Sequence, residues 1–401
     1  MIEANLKDWA IQLAGSNPTP FYAFDLDAVE RTYQTQVAAW SQYFPHFRSA
    51  YSYKTNSLKA IGRLLQRCGA SAEVVTAAEL EMALEDGFSP DSIIFDGPVK
   101  TKDEILKAVS LGIRVQVDSL DEIDTVIQIC SKQKIDPILS PRLSVAHNGK
   151  TSRFGMTGAE YYEAERRLSS IGVTFQGVHI HIGSNICEPK RFSDALAHNM
   201  SLIRRILEKA DGRAWLDIGG GFPAHSVEAN PKLPEHSTFA GNIARELIQG
   251  GVSIDLIELI IEPGRSLVED FAVVATRVVT RKYRDEDRIL VVDAGSNLIR
   301  SIRNWHHPVE FTNMSAEVPY DVYGALCFES DRLAHRLMGP RNVSVGDLII
   351  VGEAGGYDLP SANIWTRPSP AIFGRFENEF ISLRRRQYET EMRMYDVDLE
   401  Y

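Results

Sequence analysis

The sequence predicts an α/β protein: a closed (β/α)8 barrel of the TIM-like kind, followed by a second, mostly β domain of barrel or sandwich type. Three observations carry this prediction. The 401 residues exceed the roughly 250 at which one hydrophobic core stops growing, which favours two domains. From about Arg48 to Glu262, short apolar or β-branched runs alternate with longer segments whose apolar residues recur at helical spacing. There are about eight such units, the number that closes a barrel. After Arg265 the rhythm changes to valine-rich alternation with few helical patterns. The expected division is 26–268 for the barrel and 1–25 plus 269–401 for the β domain.

Taken in order, Pro20-Phe21-Tyr22-Ala23-Phe24 precedes the first barrel unit and is expected to add a strand to the β domain. Barrel strands are expected to end near Tyr53, Val75, Phe95, Val117, Leu143, His181, Ile218 and Glu262. Helices are expected between them, as over 58–68, 77–86, 103–111 and 120–131. In the second domain, strands are expected over Phe271 to Val279, Ile289 to Asp293 and Asp347 to Val351. The charged tail from Ile381-Ser382-Leu383-Arg384-Arg385-Arg386 onward is expected to be peripheral, its charge that of a solvated face.

Composition excludes several classes. A net charge of -11 with no basic stripe argues against nucleic acid. Cys68, Cys130, Cys187 and Cys327 lie far apart, without metal-ligand spacing or the density of a disulfide scaffold, which fits a reduced, cytoplasmic setting. The start lacks a basic region followed by an apolar run, and no stretch of 18 apolar residues occurs, so neither secretion nor a membrane span is expected.

Barrels place their chemistry at the carboxyl ends of strands. Lys54 follows Ala50-Tyr51-Ser52-Tyr53, where burial would lower the pKa of an amine and let it form a Schiff base. Taken alone, a strand-end lysine is more often one that snorkels to water. Gly219-Gly220-Gly221 follows the seventh strand, where backbone N–H groups can approach a phosphate; alone, the triplet is also an ordinary tight turn. Arg265 stands in the next loop and would add a bidentate contact to the same phosphate. Glu262 ends Leu259-Ile260-Ile261, where a carboxylate needs a cation: either a protonated pyridine nitrogen or Arg265. In Gly177-Val178-His179-Ile180-His181 the two histidines share a face. No third ligand at a strand end supports a metal, so one imidazole is read as stacking on a flat cofactor, with His179 equally a core histidine.

Together these motifs resemble the fold-type III pyridoxal-phosphate decarboxylases, the group of diaminopimelate and ornithine decarboxylases, and more distantly alanine racemase. The likeness runs through Thr19 to Asp27, Tyr53-Lys54-Thr55-Asn56, Ser152-Arg153-Phe154-Gly155, His181-Ile182-Gly183-Ser184, Gly219-Gly220-Gly221-Phe222 and Glu262-Pro263-Gly264-Arg265. The resemblance implies pyridoxal 5'-phosphate carried by Lys54, His181 stacked on its ring, and Glu262 at the ring nitrogen. Glu73 would lie nearby, in a position where the family usually has an aspartate. Ser184, Gly219, Gly220, Gly221, Arg265 and Tyr357 would bind the phosphate. Cys327 and Asp331 match the Cys-x-x-x-Asp segment by which a neighbouring subunit completes the site, implying a head-to-tail homodimer. Cys327 or Lys54 would return the proton.

The departures bear on the substrate. The family carries an acid directly after that cysteine to meet a distal amine, whereas this chain has Phe328, with Glu329 one place later. After Leu298-Ile299-Arg300 the family's proline is replaced by Ser301, and Asn304 and Trp305 stand near the usual tyrosine. Arg300 and Arg303 remain for a carboxylate. The expected substrate is therefore carboxylate-rich or acylated, and Trp305-His306-His307-Pro308 is similar to relatives acting on siderophore or antibiotic precursors; His306 and His307 read at least as well as surface loop residues. Competing readings are a diaminopimelate-like substrate, an amino-acid racemase, and a non-catalytic protein of the antizyme-inhibitor kind. Racemases of this fold set an arginine at the ring nitrogen, which Glu262 opposes.

Overall fold

The computed structural model describes residues 2–145, 152–210, 214–229, 231–312 and 316–396. Two compact units emerge: 30–223 with 232–267, and 2–29 with 224–229, 231 and 268–396. The segment from Ala224 belongs with the second unit, although the sequence reading had assigned it to the barrel. Nothing in the strand rhythm marks this excursion, because it lies in the loop after the seventh barrel strand.

The first unit is a closed barrel of eight parallel strands: Phe47–Ser52, Ser71–Val74, Ile93–Phe95, Arg114–Val117, Ile138–Leu143, Gly177–Ile180, Trp215–Asp217 and Glu258–Ile261. Closure is direct, with Phe47 to Ser49 in register with Leu259 to Ile261. The intervening helices start where polar caps allow. Thr76 Oγ1 accepts from Glu79 N at 3.2 Å to begin Ala77–Asp86, and Thr101 with Glu104 and Thr157 with Glu160 form reciprocal capping boxes. Gly87, at φ +101°, closes the first of these helices in a left-handed conformation that glycine adopts without strain.

Near the amino ends of the strands, Glu258 accepts from Arg48 Nε at 2.9 Å and from Arg114 Nη1 at 2.5 Å. The Arg114 guanidinium also lies 4.7 Å from the Trp215 ring centre. Both oxygens of the acid are engaged at this end of the barrel, which barrels use for stability rather than chemistry. Apolar Ala50, Ile94, Trp215 and Ile260 pack in the interior.

The second unit is a nine-stranded, largely antiparallel sheet centred on the long strand Ala272–Arg284. Phe21–Asp25 pairs antiparallel with that strand and parallel with Ala371–Phe376, so the early strand joins the sheet as expected. An amino-terminal helix, Ala4–Ala14, buries Leu6, Ala10 and Leu13 against Phe21, Val273 and Ile350. The tail is exposed, as expected of a solvated face, and Glu379–Arg384 forms an edge strand paired with Ala371–Phe376. Its side chains are almost all exposed, so no alternating pattern announced it. Among the described residues no helix is long and apolar enough to cross a membrane.

Candidate active site

The carboxyl ends of the barrel strands gather four buried acids, Glu73, Asp96, Asp217 and Glu262. Strand Phe47–Ser52 runs into the turn Tyr53–Thr55, which sets Lys54 at the mouth. Lys54 Nζ donates to Glu73 Oε1 and Ser52 Oγ donates to Glu73 Oε2, each at 2.5 Å. Glu73 is fully buried, and both of its oxygens are engaged.

The alternation in Gly177–Ile180 turns His179 into the barrel, between two carboxylates. Its Nδ1 lies 3.3 Å from Asp96 Oδ1 and its Nε2 3.8 Å from Glu262 Oε2. Arg142 Nη1 lies 3.6 Å from the same Asp96 oxygen. Burial works to raise the Asp96 carboxyl, but the His179 and Arg142 charges outweigh it and hold the acid well below the usual carboxylate range.

Asp217 ends its strand and holds the glycine loop: its Oδ1 accepts from Gly219 N at 2.9 Å and its Oδ2 from Gln116 Nε2 at 2.7 Å. Burial raises the Asp217 carboxyl, with the His179 charge opposing. Gly219 and Gly221 stand at φ +67° and +94°. A Cβ on the three glycines would strike, in turn, the His181 ring, the Glu262 carbonyl and the Gly183 carbonyl, so only glycine permits this close layering. Gly220 N donates to His181 Nδ1 at 3.3 Å, which leaves the ring's proton on Nε2. Its depth in the barrel, then the Arg142 and Lys54 charges, push His181 down to about 3, so the ring is neutral at physiological pH.

Glu262 differs from the other acids. It is 2% exposed, and among the described residues neither carboxyl oxygen has a hydrogen-bond donor. Burial first, then Asp217, Asp96 and Glu73, raise it well above the usual range. The loop after it is tied to the lysine turn: Ser52 N donates to Pro263 O at 3.1 Å, and Gly264 packs on Thr55 and Ser52 with no room for a side chain. Arg265 is buried at the start of the short helix Arg265–Val268. Ser184 is exposed on the loop after His181. A buried acceptor lacking a donor, a neutral ring and a glycine-lined cradle suit a flat, phosphorylated cofactor with a cationic ring nitrogen.

The remaining expected residues lie in the β unit. Tyr357, at φ +65°, caps the helix Asp358–Ser361. Cys327 is an exposed thiol. Phe328 stacks on Trp365 with ring centres 5.3 Å apart, and Glu329, Arg300 and Arg303 are exposed. Asp331, the acid of the Cys-x-x-x-Asp segment, is engaged by its own loop. It is 1% exposed, and its oxygens accept from Ser296 N at 2.7 Å and Leu326 N at 2.8 Å, so its carboxylate shapes the Cys327 loop. His307 is no surface residue. It is buried, with Nε2 2.7 Å from Ser301 Oγ, and that hydroxyl lies 2.8 Å from Asp358 Oδ1. Both histidines lie in a loop and His306 is exposed as expected, but His307 turns inward to the Ser301 hydroxyl.

Asp96, Arg142, Asp217 and Gln116 were not anticipated. Asp96 directly follows the apolar run Ile93–Phe95, so the strand-end rule that selected Lys54 would also have found it. The expectation that the two histidines have no third ligand beside them also differs from the geometry, since ligand atoms of His179, His181 and Glu262 lie within 4.8 Å of one another.

Residues 30–269 match the family described as pyridoxal-dependent decarboxylase, pyridoxal binding domain. Diaminopimelate decarboxylase of Archaeoglobus fulgidus is 32% identical over 361 residues, covering 84% of this chain and 83% of that protein. The same enzyme of Methanothermobacter thermautotrophicus is 29% identical over 381 residues, covering 90% and 88%. The crystal structure of diaminopimelate decarboxylase from Helicobacter pylori complexed with L-lysine is 26% identical and superposes at a TM-score of 0.87, covering 96% of this chain and 98% of that one.

Proposed function

The chain belongs to the pyridoxal-dependent decarboxylases, and from that membership we propose that it decarboxylates a carboxylate-rich or acylated diamino acid, of the kind that serves as a siderophore or antibiotic precursor. That the protein is a pyridoxal-phosphate enzyme removing carbon dioxide from an amino acid follows from the family. The substrate rests on one observation: Phe328 stands where an acid would meet a distal ammonium, and an apolar ring cannot neutralise that charge.

In this reading pyridoxal 5'-phosphate, when bound, supplies the sink for the electron pair left by departing carbon dioxide. Lys54 would carry it, with Glu73 fixing the amine. His181 would stack on its ring as a neutral imidazole. Glu262 would hold the ring nitrogen, its carboxyl having no hydrogen-bond donor among the described residues. Ser184, Gly219, Gly220, Gly221, Arg265 and Tyr357 would hold the phosphate. Cys327 or Lys54 returns the proton to Cα, with Cys327 delivered by the neighbouring subunit of a head-to-tail homodimer. Arg300 and Arg303 meet the substrate's carboxylates.

A second reading, diaminopimelate itself, is favoured by the named relatives. Measuring carbon dioxide release and mass change from cofactor-loaded protein separates the two, with diaminopimelate, ornithine, lysine and citryl-substituted diamino acids as substrates. Release only from the carboxylate-rich compounds supports the first reading, and release from diaminopimelate alone replaces it with the second. Lys54→Ala is expected to abolish both the bound-cofactor absorbance and turnover; retained turnover refutes the role of Lys54.

A further inference from the structure

We propose that Ser301 is a positioning residue: through its bonds to Asp358 and His307 it fixes the spacing between Arg300, which meets a substrate carboxylate, and Tyr357, which holds the cofactor phosphate. The roles of Arg300 and Tyr357 are those of the reading above, on which this rests.

After Leu298-Ile299-Arg300 the chain carries serine where the resemblance calls for proline. Proline has neither an N–H nor a hydroxyl, and Ser301 uses both. Its N donates to Asp358 Oδ1 at 2.8 Å. Its Oγ lies 2.8 and 3.0 Å from the two oxygens of the same carboxyl and 2.7 Å from His307 Nε2. All three side chains are buried, Asp358 completely. His307 Nδ1 lies 3.1 Å from Gly352 O, and a carbonyl only accepts, so Nδ1 bears a proton. The one hydroxyl hydrogen serves one neighbour, and the other neighbour donates to Oγ. His307 Nε2–H donates when the hydroxyl faces Asp358, and a protonated Asp358 donates when it faces Nε2. Both arrangements hold the same number of protons, so the bridge survives whichever end carries the shared one.

The bridge joins two short elements. Ser301 lies in the turn Arg300–Arg303, directly after Arg300, and Asp358 opens the helix Asp358–Ser361, directly after Tyr357. Tyr357 stands at φ +65°, where a bulky residue is strained and persists only if its surroundings fix it. Its carbonyl accepts from Ser361 N at 3.2 Å, and the neighbouring Asp358 is tied to Ser301. Breaking the bridge therefore loosens Arg300 and Tyr357 together, although Ser301 itself is buried.

The test compares wild type with Ser301→Ala, Ser301→Pro and Asp358→Asn. The readouts are the Kd of pyridoxal 5'-phosphate for apoprotein, and KM and kcat of the holoenzyme with whichever of diaminopimelate and a citryl-substituted diamino acid it decarboxylates. Ser301→Ala, which keeps the N–H, is expected to raise Kd and KM about tenfold while kcat changes less, and Ser301→Pro to raise them at least as much. Asp358→Asn is expected to recover most of both, because its amide can accept from Ser301 N and donate to Oγ. The Kd effect of Ser301→Ala is expected to vanish in a Tyr357→Phe background, and its KM effect in Arg300→Met, since a residue cannot act through a group that has been removed. Kd and KM within twofold of wild type in both Ser301 variants overturn the proposal, as do effects that persist undiminished in those two backgrounds. If Tyr357→Phe and Arg300→Met alone leave Kd and KM unchanged, the binding roles read above fail and the proposal falls with them.

Discussion

Replacing Glu262 with glutamine tests the centre of the site while keeping its shape. The carboxyl is buried, has no hydrogen-bond donor among the described residues, and is raised by burial and by Asp217, Asp96 and Glu73. A cationic ring nitrogen brought against it would form a desolvated, hydrogen-bonded charge pair. Removing one partner of such a pair costs about 3–5 kcal/mol. At 1.36 kcal/mol per decade, this corresponds to a loss of roughly 10²- to 5 × 10³-fold, divided between cofactor affinity and turnover. Fluorescence titration of apoprotein with the cofactor gives the first share, and single-turnover carbon dioxide release from saturated protein gives the second. Glutamine retains an oxygen acceptor, so folding is not at issue and the thermal midpoint of the apoprotein is expected to hold or rise. A Glu262→Gln protein that binds cofactor and turns over within threefold of wild type would refute the assignment.

Two further perturbations follow from the geometry. Asp217→Ala strands the Gly219 amide and the Gln116 side chain, each a buried group whose lost partner costs about 1–3 kcal/mol, so cofactor affinity measured by equilibrium dialysis should fall at least tenfold; unchanged affinity would mean the glycine loop holds its shape without Asp217. Burial raises Glu79 from its ordinary value to about 7, so its contribution to stability is full below about pH 4.5 and is lost as pH rises through 7. The full shift is worth up to about 3 kcal/mol, and roughly 1–2 after solvent screening. In urea unfolding of apoprotein, wild type should lose that much more stability than Glu79→Gln between pH 5 and pH 8, and parallel pH profiles would show that Glu79 ionises without cost.

The barrel was legible because its signal is local. Each strand is a short apolar run whose carboxyl end carries a polar residue, and a helix spacing of apolar residues follows. Lys54, Glu73, His181, the glycine triplet and Glu262 all sit at such ends, and the structure brings them to one mouth. What sequence reasoning missed depends on three-dimensional neighbours. Arg142 lies inside a strand read only for its apolar content, and its charge acts on Asp96, which is 46 positions away in the chain. Asp331 matched a motif, yet whether a carboxylate faces substrate or its own loop depends on which amides the loop turns toward it. The edge strand Glu379–Arg384 lacked a buried face, and without one a strand leaves no alternation to read.

The four acids at the mouth are not redundant, because each of three is answered by the protein. Glu73 has Lys54 and Ser52, Asp96 has His179 and Arg142, and Asp217 has Gln116 and the Gly219 amide. Glu262 differs in degree: among the described residues neither of its oxygens has a hydrogen-bond donor, and the cationic group noted beside it is His179, 3.8 Å away. Burying a carboxylate is costly, and the Glu262 carboxyl is accordingly raised well above the usual range. Burial raises that proton affinity first, and the neighbouring acids raise it further, so the cluster as a whole prepares one position to welcome positive charge. His181, by contrast, is driven neutral, with a ring nitrogen within 4.8 Å of a Glu262 oxygen. In the proposed role, the same electrostatics would favour a cofactor with a cationic ring nitrogen and would help keep that nitrogen charged.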